Sequence, residues 1–140
     1  ALHFVAAMRL QRVHPNVIAY SAAISACEKG GRWLEALRLL ADMRLQKVHP
    51  NVITYNAAIS ACGKGGQWLK ALRLLADMHP LKLRPNAISY CAAISACGDG
   101  KQWFEALRQL AGLGSQKVHA GIIAYSAAIN ACEKCAQWFE

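Results

Sequence analysis

No apolar run in the sequence approaches the ~18 residues that a membrane-crossing helix needs, so nothing in it is expected to span a bilayer. Acidic residues are scarce: eight Asp and Glu stand against sixteen Lys and Arg, a formal net charge of +8. That imbalance favours an anionic partner, nucleic acid before membrane, although scattered cations also serve as solubilising surface. Cys132 and Cys135 have the spacing of a redox or metal pair, but a zinc site would need a second pair and the sequence has none. Nothing resembles a catalytic triad, a metal cluster or a phosphate-binding loop. Gly63 to Gly66 reads Gly-Lys-Gly-Gly, with the wrong spacing and no preceding strand. His14, His49 and His119 recur in one slot without a carboxylate at matching spacing. No catalytic residue, metal or cofactor is therefore expected.

What the sequence does contain is repetition. Val17–Asn51 aligns without a gap on Val52–Asn86, with 25 of 35 positions identical. A third copy covers Ala87–Gly121, a fourth begins at Ile122 and stops at Glu140, and Ala1–Asn16 matches the second half of the same unit. The expected organisation is thus 1–16, 17–51, 52–86, a divergent 87–121, and 122–140. Tyr20, Tyr55, Tyr90 and Tyr125 keep the register, as do Trp33, Trp68, Trp103 and Trp138. A fixed period in this range is the signature of a solenoid, in which each unit contacts only its neighbours. No signal or transit segment opens the chain, which says little because residue 1 already lies inside a unit; both ends read as cuts in a longer protein.

Each unit reads as two helices. In the first full unit a helix is expected over about Ile18 to Cys27. Tyr20, Ala23, Ile24 and Cys27 share its packing face, and Ile18, Ser21, Ala22 and Ser25 form a second, smaller and more polar one. Gly30 and Gly31 stop it, since glycine accepts a left-handed C-terminal position cheaply. A second helix follows from about Arg32 to Met43, with Trp33, Ala36, Leu37 and Leu40 as its stripe and Leu39 and Met43 beside it. Trp33 is expected to pack between units. The next unit repeats the plan, with Tyr55, Ala58, Ile59 and Cys62 packing, Ile53, Asn56, Ala57 and Ser60 opposite, and Pro80 marking the end of the second helix. The third departs from it. Cys91 and Asp99 take slots held elsewhere by a serine or asparagine and by lysine, and Gly112 and Gly114 are expected to end the second helix early, at ~1 kcal/mol each against alanine. Cys27, Cys62, Cys97 and Cys132 share one slot and read as buried small hydrophobes, too far apart for disulfides. Before Val17, Phe4, Val5 and Met8 supply the apolar side of a helix end, followed by the turn at His14, Pro15 and Asn16.

Residues Val52-Ile53-Thr54-Tyr55-Asn56, Ile59, Cys62-Gly63-Lys64, Ala71-Leu72, Met78 and Pro85-Asn86, set in a 35-residue unit, resemble the pentatricopeptide repeat. The wording Ala-Ala-Ile-Ser-Ala-Cys and the recurring tryptophan resemble copies found in dinoflagellate algae. The resemblance covers the whole chain. It implies an all-α, right-handed α-solenoid of helix-turn-helix repeats that binds single-stranded RNA along its first helices, one nucleotide per unit, in a mitochondrion or chloroplast. Organellar RNA-processing proteins are further implied partners, and the processes implied are stabilisation, splicing, editing, translation or processing. The implied base readers are the residue after each helix tyrosine and the residue that closes the unit: Ser21 with Asn51, Asn56 with Asn86, Cys91 with Gly121, and Ser126 with a partner past Glu140. Ile18, Ile53, Ile88 and Ile123 would sandwich the bases, and Lys29, Lys64 and Lys134 would approach phosphates, with Asp99 breaking that row. The family's code implies adenine for Ser21 with Asn51 and cytosine before uracil for Asn56 with Asn86; it leaves Cys91 with Gly121 undecoded.

Read without the resemblance, these residues leave alternatives open. Asn56 and Ser21 can donate to or accept from a base edge, but each also suits a solvated helix face. Asn51 and Asn86 suit helix capping, and the lysines suit helix C-termini. A peptide-binding scaffold remains open, as does an array that delivers substrate to an enzyme domain elsewhere in a longer chain. Three complete readers at about 1–3 kcal/mol per base, set against an association cost of at least about 4 kcal/mol, imply binding no tighter than micromolar.

Overall fold

The computed structural model describes residues 16–115 and 122–136. The expectations for Phe4, Val5, Met8, His14, Pro15, His119, Gly121, Trp138 and Phe139 lie outside them. Asparagine starts the first helix of three units. Asn16, Asn51 and Asn86 hold extended backbone, and their side-chain oxygens accept the N–H groups of Ala19, Thr54 and Ser89 at 2.9, 2.9 and 3.0 Å. The hydroxyls of Thr54 and Ser89 accept the cap N–H in return, completing a capping box. The helices are α1 (Val17–Lys29), α2 (Trp33–Leu45), α3 (Val52–Lys64), α4 (Trp68–Asp77), α5 (Ala87–Asp99), α6 (Trp103–Ser115) and α7 (Ile122–Ala136). No strand occurs among the described residues.

One backbone motif ends helices of both kinds. After α1 the N–H of Gly31 reaches Glu28 O and that of Arg32 reaches Cys27 O; after α2 the N–H of Lys47 reaches Arg44 O and that of Val48 reaches Met43 O. This pairing is the Schellman motif, which places one residue in left-handed backbone. Glycine fills that place at Gly31 and Gly66, but lysine fills it at Lys47, Lys82 and Lys101, with φ of 58°, 58° and 59°. The first glycine of each doublet was expected to share this task and does not: Gly30 and Gly65 sit at φ −85° and −83°. Gly65 is required for another reason. A Cβ there would lie 2.1 Å from Cδ1 of Trp33, and one on Gly100 would lie 2.4 Å from Cδ1 of Trp68. Each indole therefore lies on the turn of the next unit, as expected for Trp33, and the Lys70 ammonium covers the Trp33 ring at 4.3 Å.

The first helices α1, α3, α5 and α7 pack one after another as one layer, and α2, α4 and α6 each bridge two consecutive members of it. The result is an α-solenoid. Tyr20, Ala23, Ile24 and Cys27 are buried, as are Tyr55, Ala58, Ile59 and Cys62, so the face assigned from spacing is the core face. In α2 Ala36 and Leu40 of the expected stripe are buried, but so are Leu39 and Met43, while Trp33 and Leu37 are only half-buried, so the stripe is rotated toward Leu39. Desolvation pushes the Cys62 thiol up to about 11 and the Cys97 thiol to about 12, with the Glu105 carboxylate adding to the latter, which suits space-filling side chains rather than nucleophiles. Gly112 and Gly114 do not shorten α6, which keeps 13 residues. Leu113 between them is fully buried, and that packing outweighs glycine's poor propensity. It is α4 that is short, at 10 residues, ending ahead of Pro80.

Candidate nucleic-acid interface

The layer of first helices leaves a face uncovered. Ile18, Ile53, Ile88 and Ile123 are 74%, 65%, 65% and 75% exposed. One exposed isoleucine needs no explanation, but four in one slot of successive helices form an apolar row open to a ligand. One turn further along lie the residues after the tyrosines. Ser21, Asn56 and Cys91 are half-buried and Ser126 is exposed. Between α3 and α5 runs a cleft of about 360 Å³, lined by Asn56, Ile88, Cys91, Ser95, Lys64 and Asp99 among others.

The helix caps bring the expected readers together. Asn86 closes its unit by capping α5, so its amide stands beside that of Asn56, with Asn56 Nδ2 donating to Asn86 Oδ1 at 3.3 Å. Ser21 and Asn51 are joined through a third side chain. Thr54 Oγ1 lies 3.1 Å from Ser21 Oγ and donates to Asn51 Oδ1 at 2.8 Å. The corresponding partner of Cys91, Gly121, lies outside the described residues.

The lysines are less simple. Lys29 ends α1 exposed. Lys64 Nζ is 2.6 Å from Glu28 Oε1, which also accepts from Ser60 Oγ at 3.0 Å. Lys134 Nζ is 2.5 Å from Asp99 Oδ1, so the acid that interrupts the lysine row is itself paired to the next lysine. The hydrogen bond from Lys64 chiefly, with that from Ser60 in support and burial opposing, holds the Glu28 carboxyl below the usual carboxylate range. Lys64, Lys134 and Asp99 are about half exposed and Glu28 about a fifth, and pairs this open to solvent are worth little and exchange readily with a competing anion.

Thr54, Ser89 and Glu28 were not singled out from the sequence. The third slot of the first helix, Ala19, Thr54, Ser89 and Ala124, carried the signal: two hydroxyls at a position that is otherwise alanine. Glu28 and Lys64 are one unit plus one residue apart, an offset that only stacked helices bring into contact.

A family model described as the PPR repeat family matches residues 15–64 and 50–99. The chain belongs to that family. Among solved structures, this pentatricopeptide repeat chain is similar to PPR10 in complex with an 18-nt psaJ RNA element, with 27% identity over 88% of this chain and a TM-score of 0.82. It is also similar to PPR10 from maize, with 26% identity over 99% of this chain and a TM-score of 0.76. It spans only 18% and 21% of those chains. No curated protein matches it. Among the described residues no group of His, Cys, Asp and Glu could hold a metal ion, and no helix is long and apolar enough to cross a membrane.

Proposed function

We propose that this pentatricopeptide repeat segment binds single-stranded RNA along the layer of first helices, one nucleotide per unit. In this reading Ser21 with Asn51 and Asn56 with Asn86 read bases. Cys91 with Gly121 and Ser126 occupy the same slots further on. Ile18, Ile53, Ile88 and Ile123 sandwich the bases, and Lys29, Lys64 and Lys134 approach the phosphates. The unit boundaries are those of the 35-residue period. The setting proposed is RNA processing in a mitochondrion or chloroplast, which rests on the family likeness alone.

The observation that carries the reading is the amide pair. Asn56 and Asn86 are thirty residues apart, yet their side chains meet at 3.3 Å, half-exposed beside a cleft and next to exposed isoleucines. Unstacked bases recognised by two or three side chains per helical repeat are an established mode of RNA recognition. The similarity to a PPR10 structure that holds RNA supports it, and so does the net charge of +8.

The test is fluorescence anisotropy of the chain with short single strands centred on A-C-N, matched scrambles and DNA of the same sequence, across a salt series. Preference for the RNA, weakened when Asn56 and Asn86 are both changed to alanine, is the expected result. Equal binding to every strand would leave only a basic surface, and no binding by the folded chain at low salt would favour a peptide ligand.

A further inference from the structure

A hydroxyl from one unit reaches back to the reading position of the unit before it. Ser89 Oγ lies 2.5 Å from Asn56 Oδ1 and 3.0 Å from Asn86 Oδ1. Thr54 Oγ1 stands in the same relation to Ser21 and Asn51. The third slot of the following unit is Ala124, which has no hydroxyl to offer Cys91.

The amide orientations follow from a donor that cannot be reversed. The Ser89 backbone N–H points at the Asn86 side chain at 3.0 Å, so the atom it meets is the carbonyl oxygen. The Asn56 atom lying 3.3 Å from that oxygen must donate, which makes it the amide nitrogen. The Asn56 oxygen is then turned toward Ser89, whose hydroxyl donates to it. Both carbonyl oxygens are thus engaged within the protein, that of Asn86 by the Ser89 N–H and Asn56 Nδ2 and that of Asn56 by the Ser89 hydroxyl. What the pair turns outward is chiefly N–H, since each amide has two donors and just one of the four is spent between them. Cytosine offers two adjacent acceptors, O2 and N3, to such an edge, whereas uracil carries a hydrogen on N3 and matches one fewer.

We propose that Ser89 is a positioning residue for base selection by the preceding unit: its hydroxyl sets the hydrogen-bond polarity of the Asn56–Asn86 edge, holding the amide N–H groups toward the base. The proposal rests on the RNA-binding reading above. It adds a third side chain, contributed by the next unit, to the pair that faces the base.

The measurement is anisotropy of the full 140-residue chain against four RNAs that differ only at the nucleotide facing Asn56, with thermal unfolding recorded alongside. Ser89→Ala keeps the backbone N–H and the cap, as Ala19 does beneath Asn16. Its cytosine-over-uracil preference is expected to fall ~5-fold, the worth of about one hydrogen bond. Ser89→Thr, the residue that Thr54 supplies one unit earlier, is expected to keep the preference. Should Ser89→Ala unfold, Ser89→Val against Ser89→Thr makes the same comparison between side chains of one shape. A purely structural role would lower the unfolding midpoint and weaken all four RNAs equally; an unchanged cytosine-to-uracil ratio overturns the proposal while leaving RNA binding intact. Failure of the folded wild-type chain to bind any of the RNAs overturns the RNA reading and this inference with it.

Discussion

At the scale of single residues, Glu28 and the left-handed lysines carry consequences that can be measured. The Glu28 carboxyl is held below its usual range, chiefly by Lys64, so the stabilisation it gives is fully present above the unfolded carboxyl value of 4.5 and is lost as pH falls through the lower folded value. Chemical denaturation of Glu28→Gln and wild type between about pH 3 and 7 is expected to show curves that converge at the acidic end and separate above it. With Glu28 neutral, Lys64 is also released, and the salt dependence of RNA binding should steepen by up to ~0.7 in the log–log slope, the share of one phosphate on a single strand. Lys47 and Lys82 hold positive φ at 58°, where a Cβ is unfavourable. Lys47→Gly is expected to raise stability in urea by ~1 kcal/mol. Neither feature was legible in the sequence. Lysine carries no turn signature, and the Gly-Gly doublets of the first two full units drew attention to the other turn, where only the second glycine is left-handed.

At the scale of helices, the chain sets propensity against packing and packing decides. Gly63 and Gly98 lie inside α3 and α5, where alanine would be the better helix former by ~1 kcal/mol. A Cβ on Gly63 would stand 2.9 Å from Ala96 Cβ, and one on Gly98 only 2.7 Å from Ala131 Cβ and 2.9 Å from its Cα. These glycines let consecutive first helices approach backbone to backbone. Gly98→Ala is therefore expected to destabilise by ~1–3 kcal/mol, the range of an overpacked core. Adding Ala131→Gly should recover only part of the loss, because it removes the Cβ contact but leaves the Cα at 2.9 Å and adds a helix glycine, and a double-mutant cycle by urea denaturation reads the coupling. If Gly98→Ala is instead stabilising, α5 and α7 are not held as closely as this packing requires. The faces of these helices were readable because Tyr20, Ala23, Ile24 and Cys27 repeat at helical spacing. Two features were not: the length of α6, where buried Leu113 outweighs two glycines, and the rotation of the α2 stripe toward Leu39. Both depend on which neighbour each face meets, and periodicity within one helix does not contain that.

At the scale of the whole molecule, period, fold class and the grouping of Asn56 with Asn86 were legible because a solenoid converts a fixed offset in sequence into a fixed neighbour in space. The Ser89 contact was not, since it depends on side-chain rotamers across two units. The same regularity allows the array to be lengthened without inventing an interface. A second copy of Val52–Asn86 inserted after Asn86 would place Thr54 of the copy against Asn56, as Ser89 now stands. Its Gly65 would meet Trp68, as Gly100 now does, and its Ala61 would meet Gly63, as Ala96 now does. Every junction thus has a precedent in the present chain. If each unit reads one nucleotide, the lengthened chain should bind an RNA extended by one cytosine ~5- to 150-fold more tightly, corresponding to about 1–3 kcal/mol per stacked base. The original RNA should gain far less, because the added unit would have no base to hold. Anisotropy with both RNAs separates the outcomes. Tightening only on the longer strand supports one nucleotide per unit, equal tightening on both points to added positive charge, and no tightening on either would sink the modular reading.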